Sequence, residues 1–583
     1  RAQQKLLLLM GQPEEFTPQQ IAFVYGGACE EDIKQLLEYN AFIIPLANGK
    51  LRCHHMLKQA TRHAFALLPE AEQRQAFCQF GKWYVQQKDY EEALDCLYRG
   101  KDFAGLLTSV QELCDWSMRA EHKAHLFDWL NDCPQEILWQ YPQAVLILMR
   151  RMFSLNMLQE MLQVKEWYVT ALERNTYLTI EERNNYYGEL EIILSFLAFN
   201  SITGMSEHHR RAYRLLSCAP QTLSKQGVWT FGAPSLLGLY LKAGGALQQT
   251  LDEMYECMPP YYLLSNWHGA GAAELTEAEA LLLQGRTGEL DICLQKAYYL
   301  AKKHGQECIT LCCDFIAMQR DMLNGERTEQ LEKYQRHEGS VWQQSMLLNT
   351  ADMCVGFYYA LLGETQHLPT WLTSWQADEA VVLYPARPCR NFIAAQCLLA
   401  QQRYTELLVR YDDLLAECRP YNNFLCQLYL LVQKACAFAG LGEQAKAQAA
   451  LLRALELAAP DSLVLPFAQN ISLLEPLLTK ELAGEQRELV EKILALGARF
   501  AAGRKRLCVT GEDKGLLAEL TEQELQIAQL AAARHTNKEI AAALNLREGT
   551  IKQYLNRIFV KLGIDTEAKN KRHQLAKYFP PTN

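Results

Sequence analysis

Residues 536–563, TNKEIAAALNLREGTIKQYLNRIFVKLG, decide how the end of this chain folds. Thr536 stands where an N-cap would, and Glu539 three residues later completes a capping box. Ile540, Ala541 and Leu544 fall on one helical stripe. Asn545 follows, a residue that tolerates the left-handed backbone of a sharp turn. A second helix is predicted from about Glu548 to Leu562, with Gly563 ending it. Ile551, Leu555, Ile558, Phe559 and Leu562 recur at i, i+4, i+7, i+8 and i+11, a buried stripe. Thr550, Lys552, Gln553, Asn556 and Arg557 then face outward, and Arg547, Lys552, Arg557 and Lys561 against Glu548 give a local net charge of +3. The pattern is a helix-turn-helix whose second helix suits a DNA major groove. Gln and Asn pair bidentately with adenine, Lys reaches guanine acceptors, and Thr or Arg holds phosphates.

That local charge contrasts with the rest. The 583 residues carry a net charge of −9, which excludes diffuse nucleic-acid binding by the whole chain. About half the residues are apolar and 21% charged, a globular composition, and the length calls for several domains or a repeat array. No apolar run approaches the roughly 18 residues needed to span a bilayer. The 19 cysteines are scattered without a C-x-x-C pair, with Cys308, Cys312 and Cys313 on one apparent helix. They suit core thiols in a reducing cytoplasm rather than disulfides or a metal site.

The fold class expected is mostly α. In residues 1–71, helices Thr17 to Tyr25 and Glu30 to Tyr39 precede AFIIPLANGKLRCHH, two short apolar runs around Asn48-Gly49, then a helix from Met56. That order is a winged helix, and the acidic EEDIKQLLEY makes it a structural or coupling module rather than a DNA reader. Residues 72–500 alternate amphipathic helices with short breaks, as in WYVQQKDYEEALDCL, AQCLLAQQRYTELLV and ACAFAGLGEQAKAQAALLRALELAAP. In the last, Ala435, Ala439, Ala445, Ala449 and Ala454 are the small residues expected to let helices approach, and Pro460 ends the second helix. Such units bury a face only by stacking, as in an α-solenoid of tetratricopeptide-like pairs. Gly503, Gly511 and Gly515 among mixed charges read as a linker over 501–515, in which Arg504 to Arg506 are solvated. The DNA-binding domain is placed at 516–583.

Residues 520–562 resemble the LuxR/NarL-type DNA-binding domain. That family's pattern of L-T, Glu, S-N-K-E-I-A, a turn, T-V-K and K-L-G becomes here Leu520-Thr521, Glu524, Thr536-Asn537-Lys538-Glu539-Ile540-Ala541, Thr550-Ile551-Lys552 and Lys561-Leu562-Gly563. The resemblance implies that Lys552, Gln553 and Asn556 read bases and that Thr550 and Lys538 sit near phosphates. It also implies pairing on DNA through a last helix at about Thr566 to Tyr578. The DNA-contacting set is Thr536, Asn537, Lys538, Arg547, Thr550, Lys552, Gln553, Asn556, Arg557 and Lys561. Three positions depart from the pattern. Arg547 replaces a Ser and forgoes a cap worth about 1 kcal/mol. Tyr554 stands for the usual His and Arg534 for the usual Gly.

The order winged helix, helical array, linker and LuxR-type domain resembles the large MalT-like ATPase regulators. The segments carrying it are FIIPLANGKLRCHHMLKQATRHAF, WYVQQKDYEEALDCLYRGKDFAGLL and SLVLPFAQNISLLEPLL. This resemblance implies an ATP-hydrolysing domain upstream, expected to precede the Arg at position 1. It implies an array that receives a small-molecule or protein effector, and self-association that presents the DNA domains to a promoter, where RNA polymerase is the expected partner. No G-x-x-x-x-G-K-[ST] loop occurs in the 583 residues, so ATP is expected only with that upstream domain, and neither a cofactor nor a metal is expected here. No catalytic arrangement has local support, so the chain is expected not to be an enzyme.

Cys53-His54-His55 has ligand chemistry, but strand neighbours point to opposite faces. His208-His209 reads as solvated surface, and the aromatics of MPPYYLLSNWHG as inter-repeat core or a ligand groove. The competing function is a protein-interaction scaffold without sequence-specific DNA binding.

Overall fold

A computed structural model describes residues 2–39, 41–113, 118, 120–223, 227–328, 345–374, 382–478, 486–508, 520–532, 535–544, 546–562, 564, 571 and 575. These are helical almost throughout, apart from one two-stranded sheet. Among the described residues, the N-terminal unit, the long central array and the C-terminal domain each have a main core, and Ile192, Ala212 and Leu264 form a small satellite cluster.

In the N-terminal unit, Thr17 caps the helix Pro18–Tyr25, with Pro18 at the first position, where its missing N–H costs nothing. Helix Glu30–Tyr39 follows, then antiparallel strands Ile43–Pro45 and Leu51–Cys53 and the helix His55–Ala66. The hairpin turns on Ala47, Asn48 and Gly49. Gly49 N–H donates to the Leu46 carbonyl, Leu46 N–H donates to Lys50, and Gly49 takes φ +78°. This is the three-residue form with glycine in the left-handed position, rather than a two-residue Asn-Gly turn. His54 caps the next helix and Cys53 is buried, its thiol facing the Met10 carbonyl. Phe77 and Phe80 on the helix Glu70–Gln86 close this core.

The array is built of helix pairs, for example Glu70–Gln86 with Tyr90–Arg99, Ile180–Ser195 with Ile202–Leu215 and Phe424–Gly440 with Gln444–Ala458. One turn recurs between paired helices. Lys88, Asn156, Gly285, Gln402 and Gly442 all take positive φ. The next residue then donates back five positions, as in Asp89 to Tyr84, Arg403 to Leu398 and Glu443 to Phe438. That is the Schellman closure, which satisfies an orphan carbonyl and reverses the chain within a few residues. It is the physical content of the QQKDY, QQRYT and GLGEQ breaks.

Two expectations change. Ala445 and Ala449 are exposed, and the inward stripe of Gln444–Ala458 is Ala447, Leu451, Ala454, Leu455 and Ala458. The first helix ends at Gly440 and the second begins at Gln444, which turns Ala447 and Leu451 rather than Ala445 and Ala449 inward. The segment from residue 501 is not a tether at its start, because the helix Arg487–Cys508 runs through it. A Cβ at Gly503 would collide with the carbonyl oxygens of Met322 and Leu323. Arg504 Nε donates to the Leu362 carbonyl at 3.0 Å and Arg506 Nη2 to the Asn324 carbonyl at 2.7 Å. These cations satisfy the C-terminal carbonyls of two array helices, a favourable place for positive charge. The rest of the expected linker lies outside the described residues.

Candidate nucleic-acid interface

Three described helices make the C-terminal domain: Glu522–Ala532, Asn537–Ala543 and Glu548–Lys561. Each begins or ends on an identifiable interaction. Thr521 N–H donates to Glu524 Oε2 at 2.8 Å while Glu524 N–H donates to Thr521 Oγ1 at 3.3 Å, a capping box. Thr536 and Glu539 form a second one, at 2.7 and 3.3 Å. Leu546 N–H closes onto the Ala541 carbonyl at 2.9 Å, and Ile564 N–H onto Phe559 at 2.8 Å. Both have the Schellman spacing. Asn545 and Gly563 themselves lie outside the described residues, as does most of the expected last helix, of which Leu575 is buried in the domain core.

Ile551, Leu555, Ile558, Phe559 and Leu562 are all buried, with Ile540 and Ala541 opposite them. This pins the rotation of Glu548–Lys561, so Lys552, Gln553, Asn556 and Arg557 are exposed along one face. Thr550 is half-buried at its start. Val560, 68% exposed, continues the stripe one turn beyond Asn556. The sequence reading passed over Val560, although its i+4 and i+7 spacing from Asn556 and Gln553 marks it. An exposed methyl pair there suits a thymine methyl. Thr536 and Lys538 are exposed and Asn537 half-buried at the start of the preceding helix. Arg547 occupies the N-cap position of Glu548–Lys561 without a side-chain cap. A Cβ on Gly549 would meet nothing within 4 Å, so that end of the helix is open.

Lys561 differs from the others. Its Nζ donates to Glu524 Oε2 at 2.7 Å, and Glu524 is only 3% exposed. The lysine beside Glu524 is the chief reason its carboxyl is held below the usual range, with the Thr521 donors adding to the effect. Lys561 therefore ties Glu548–Lys561 to Glu522–Ala532. Tyr554 does the same from two turns earlier, its hydroxyl donating to Gln523 Oε1 at 3.0 Å, and Arg557 lies over the Tyr554 ring at 5.8 Å. A sequence pattern shows neither tie, because their partners lie more than 30 residues away.

Away from this domain, His208 and His209 are not simply solvated. His208 Nδ1 pairs with Glu191 Oε2 at 2.6 Å, and His209 packs on the Tyr261 ring at 4.6 Å. Tyr261 and Tyr262 are buried, while Trp267 stacks between Tyr262 and His304. Among the described residues no cluster of three His, Cys, Asp or Glu could hold a metal ion, and no helix is long and apolar enough to cross a membrane.

Residues 518–572 match the family of bacterial regulatory proteins, luxR family. The C-terminal domain is therefore a LuxR-family domain, which points to a DNA-binding transcription regulator. A search of curated proteins found no match to the chain.

Proposed function

We propose that this protein regulates transcription by docking Glu548–Lys561 in the major groove of promoter DNA. Lys552, Gln553 and Asn556 read base edges, while Lys538, Arg547, Thr550 and Arg557 hold the backbone. One observation carries the reading: an exposed polar and cationic stripe on a helix whose opposite face is fixed in a dry core. Lys561 leaves the contacting set and becomes the residue that orients the helix. In this reading the N-terminal unit is a winged helix, and the helix pairs form a tetratricopeptide-like sensor array for an effector. The arrangement follows MalT-like regulators, with an upstream ATPase domain, self-association, a cytoplasmic location and no enzyme activity in residues 1–583. RNA polymerase is the partner at the promoter.

The test is selection of genomic fragments by the 583-residue protein, followed by affinity measurements on the enriched sequence. Lys552→Ala with Asn556→Ala should abolish the enrichment of that sequence while leaving the helical content intact. Equal enrichment by the double variant would remove the proposal. Recovery of protein partners without DNA retention at low salt would favour the scaffold alternative.

A further inference from the structure

The array contains a cavity of about 390 Å³, within the range of small-molecule sites. It opens between the short helix Gln135–Leu138, the second half of Leu158–Arg174 and the start of Ile180–Ser195. Four aromatic side chains line it: Trp139, Trp167, Tyr168 and Tyr186. Trp139 is 41% exposed, an unusual setting for an indole unless it forms the rim of a pocket. Trp167 rests against Phe127 at 5.4 Å, so the ring is held in place from behind.

One charged feature chooses the ligand. The Tyr168 ring contributes to the wall, while its hydroxyl is closed off from solvent. The lining includes Arg174 and no carboxylate. Trp167 and Arg174 are seven residues apart on one helix, hence on the same face and roughly 10 Å apart along the axis. A ring lying on Trp167 with an acid on a short arm reaches the guanidinium from there. A cation would meet Arg174 with no counter-charge in the lining.

We propose that this cavity binds an aromatic monocarboxylate, with the ring between Trp139 and Trp167 and the carboxylate on Arg174. The inference rests on the effector-sensing part of the function above and gives that effector a site and a chemistry.

The experiment is calorimetric titration of the 583-residue protein with 2-naphthylacetate, 2-naphthylacetamide and 2-naphthylmethylamine. Saturable one-site binding of the acid below about 1 mM is expected, a modest affinity for a small probe. Arg174→Gln should weaken the acid roughly tenfold and the neutral amide less than twofold, since only the acid loses a charge-assisted pair. Trp139→Ala should weaken both by about fivefold. Both substituted side chains are partly exposed, so folding survives either change. No saturable binding of the acid, binding indifferent to both substitutions, or equal affinity for the amine would overturn the proposal. DNA affinity measured in parallel keeps the two readings apart: intact DNA binding with no acid binding removes the cavity assignment alone, and acid binding without any DNA binding removes the regulator and leaves the cavity.

Discussion

Replacing Glu524 with Ala tests what holds the helix Glu548–Lys561 in place. Glu524 accepts from Lys561 Nζ at 2.7 Å and from Thr521 N–H at 2.8 Å, in a nearly solvent-free position. The substitution removes half of a capping box, worth about 1 kcal/mol, and a hydrogen bond to a charged group, worth roughly 1.5–3 kcal/mol. Lys561 is partly exposed and regains water, which offsets part of the second loss. The net cost is then about 2 kcal/mol to the anchoring of Glu548–Lys561, or roughly 30-fold in its opening equilibrium. Native-state hydrogen exchange on the full protein should show the helix amides from Ile551 to Lys561 exchanging about 30-fold faster, with the array unchanged. The pH dependence follows. The folded carboxyl is held below its unfolded value of about 4.3, so the stabilisation is complete above that pH and is lost as pH falls through the lower folded value. Lys561→Met should reproduce the loss of protection yet leave the slope of DNA affinity against salt unchanged, because in the proposed docking this lysine pairs with Glu524 and not with a phosphate. Exchange within twofold of wild type in Glu524→Ala, or a salt slope lowered by about one in Lys561→Met, would refute the reasoning.

Three further outcomes are expected. Gly503→Ala should undock Arg487–Cys508 from the array, because the added methyl meets the Met322 and Leu323 carbonyls, and limited proteolysis should then cut near Arg504 and Arg506 at sites resistant in the parent. Thr536→Ala should destabilise the start of Asn537–Ala543 by about 1 kcal/mol, read as faster exchange of the Glu539 amide. Burial pushes the His268 imidazole down to about 4, with Nδ1 on the Tyr261 hydroxyl at 2.7 Å and Nε2 on the Gly227 carbonyl at 2.9 Å. Its neutral form is favoured by folding, so the array should keep this stability above about pH 6.5 and lose it as pH falls toward 4. Calorimetric melting across that range should show the decline, and His268→Gln should reduce its slope by up to about 1.4 kcal/mol per pH unit.

The sequence made the helix-turn-helix legible because its signals are local. A buried stripe of period 3.6 fixes the rotation of Glu548–Lys561, and the Thr536–Glu539 box fixes a helix start, both within a few residues. The Thr521–Glu524 box carries the same local signal, yet the sequence reading left it as a family motif without its cap. The pairing of Lys561 with Glu524 is not legible in the sequence, since a cation on a helix looks alike whether it faces phosphate or a buried carboxylate 37 residues away. Gly503 is misleading in another way. Glycine beside cations reads as a loop, but here the missing side chain is what lets a helix lie on the carbonyls of its neighbours. The breaks between paired helices are visible in the sequence, while the inward face of Gln444–Ala458 depends on where the Gly442 turn releases the chain.

The claim on which the account turns is that Lys552, Gln553 and Asn556 occupy the major groove. Methylation interference at guanine N7 on the selected DNA tests it most directly, since N7 lies on the major-groove edge of the base. The account predicts that N7 methylation within the site blocks binding of the 583-residue protein and that Lys552→Ala relaxes the block. Full-strength binding to DNA methylated at every guanine of the site would contradict it.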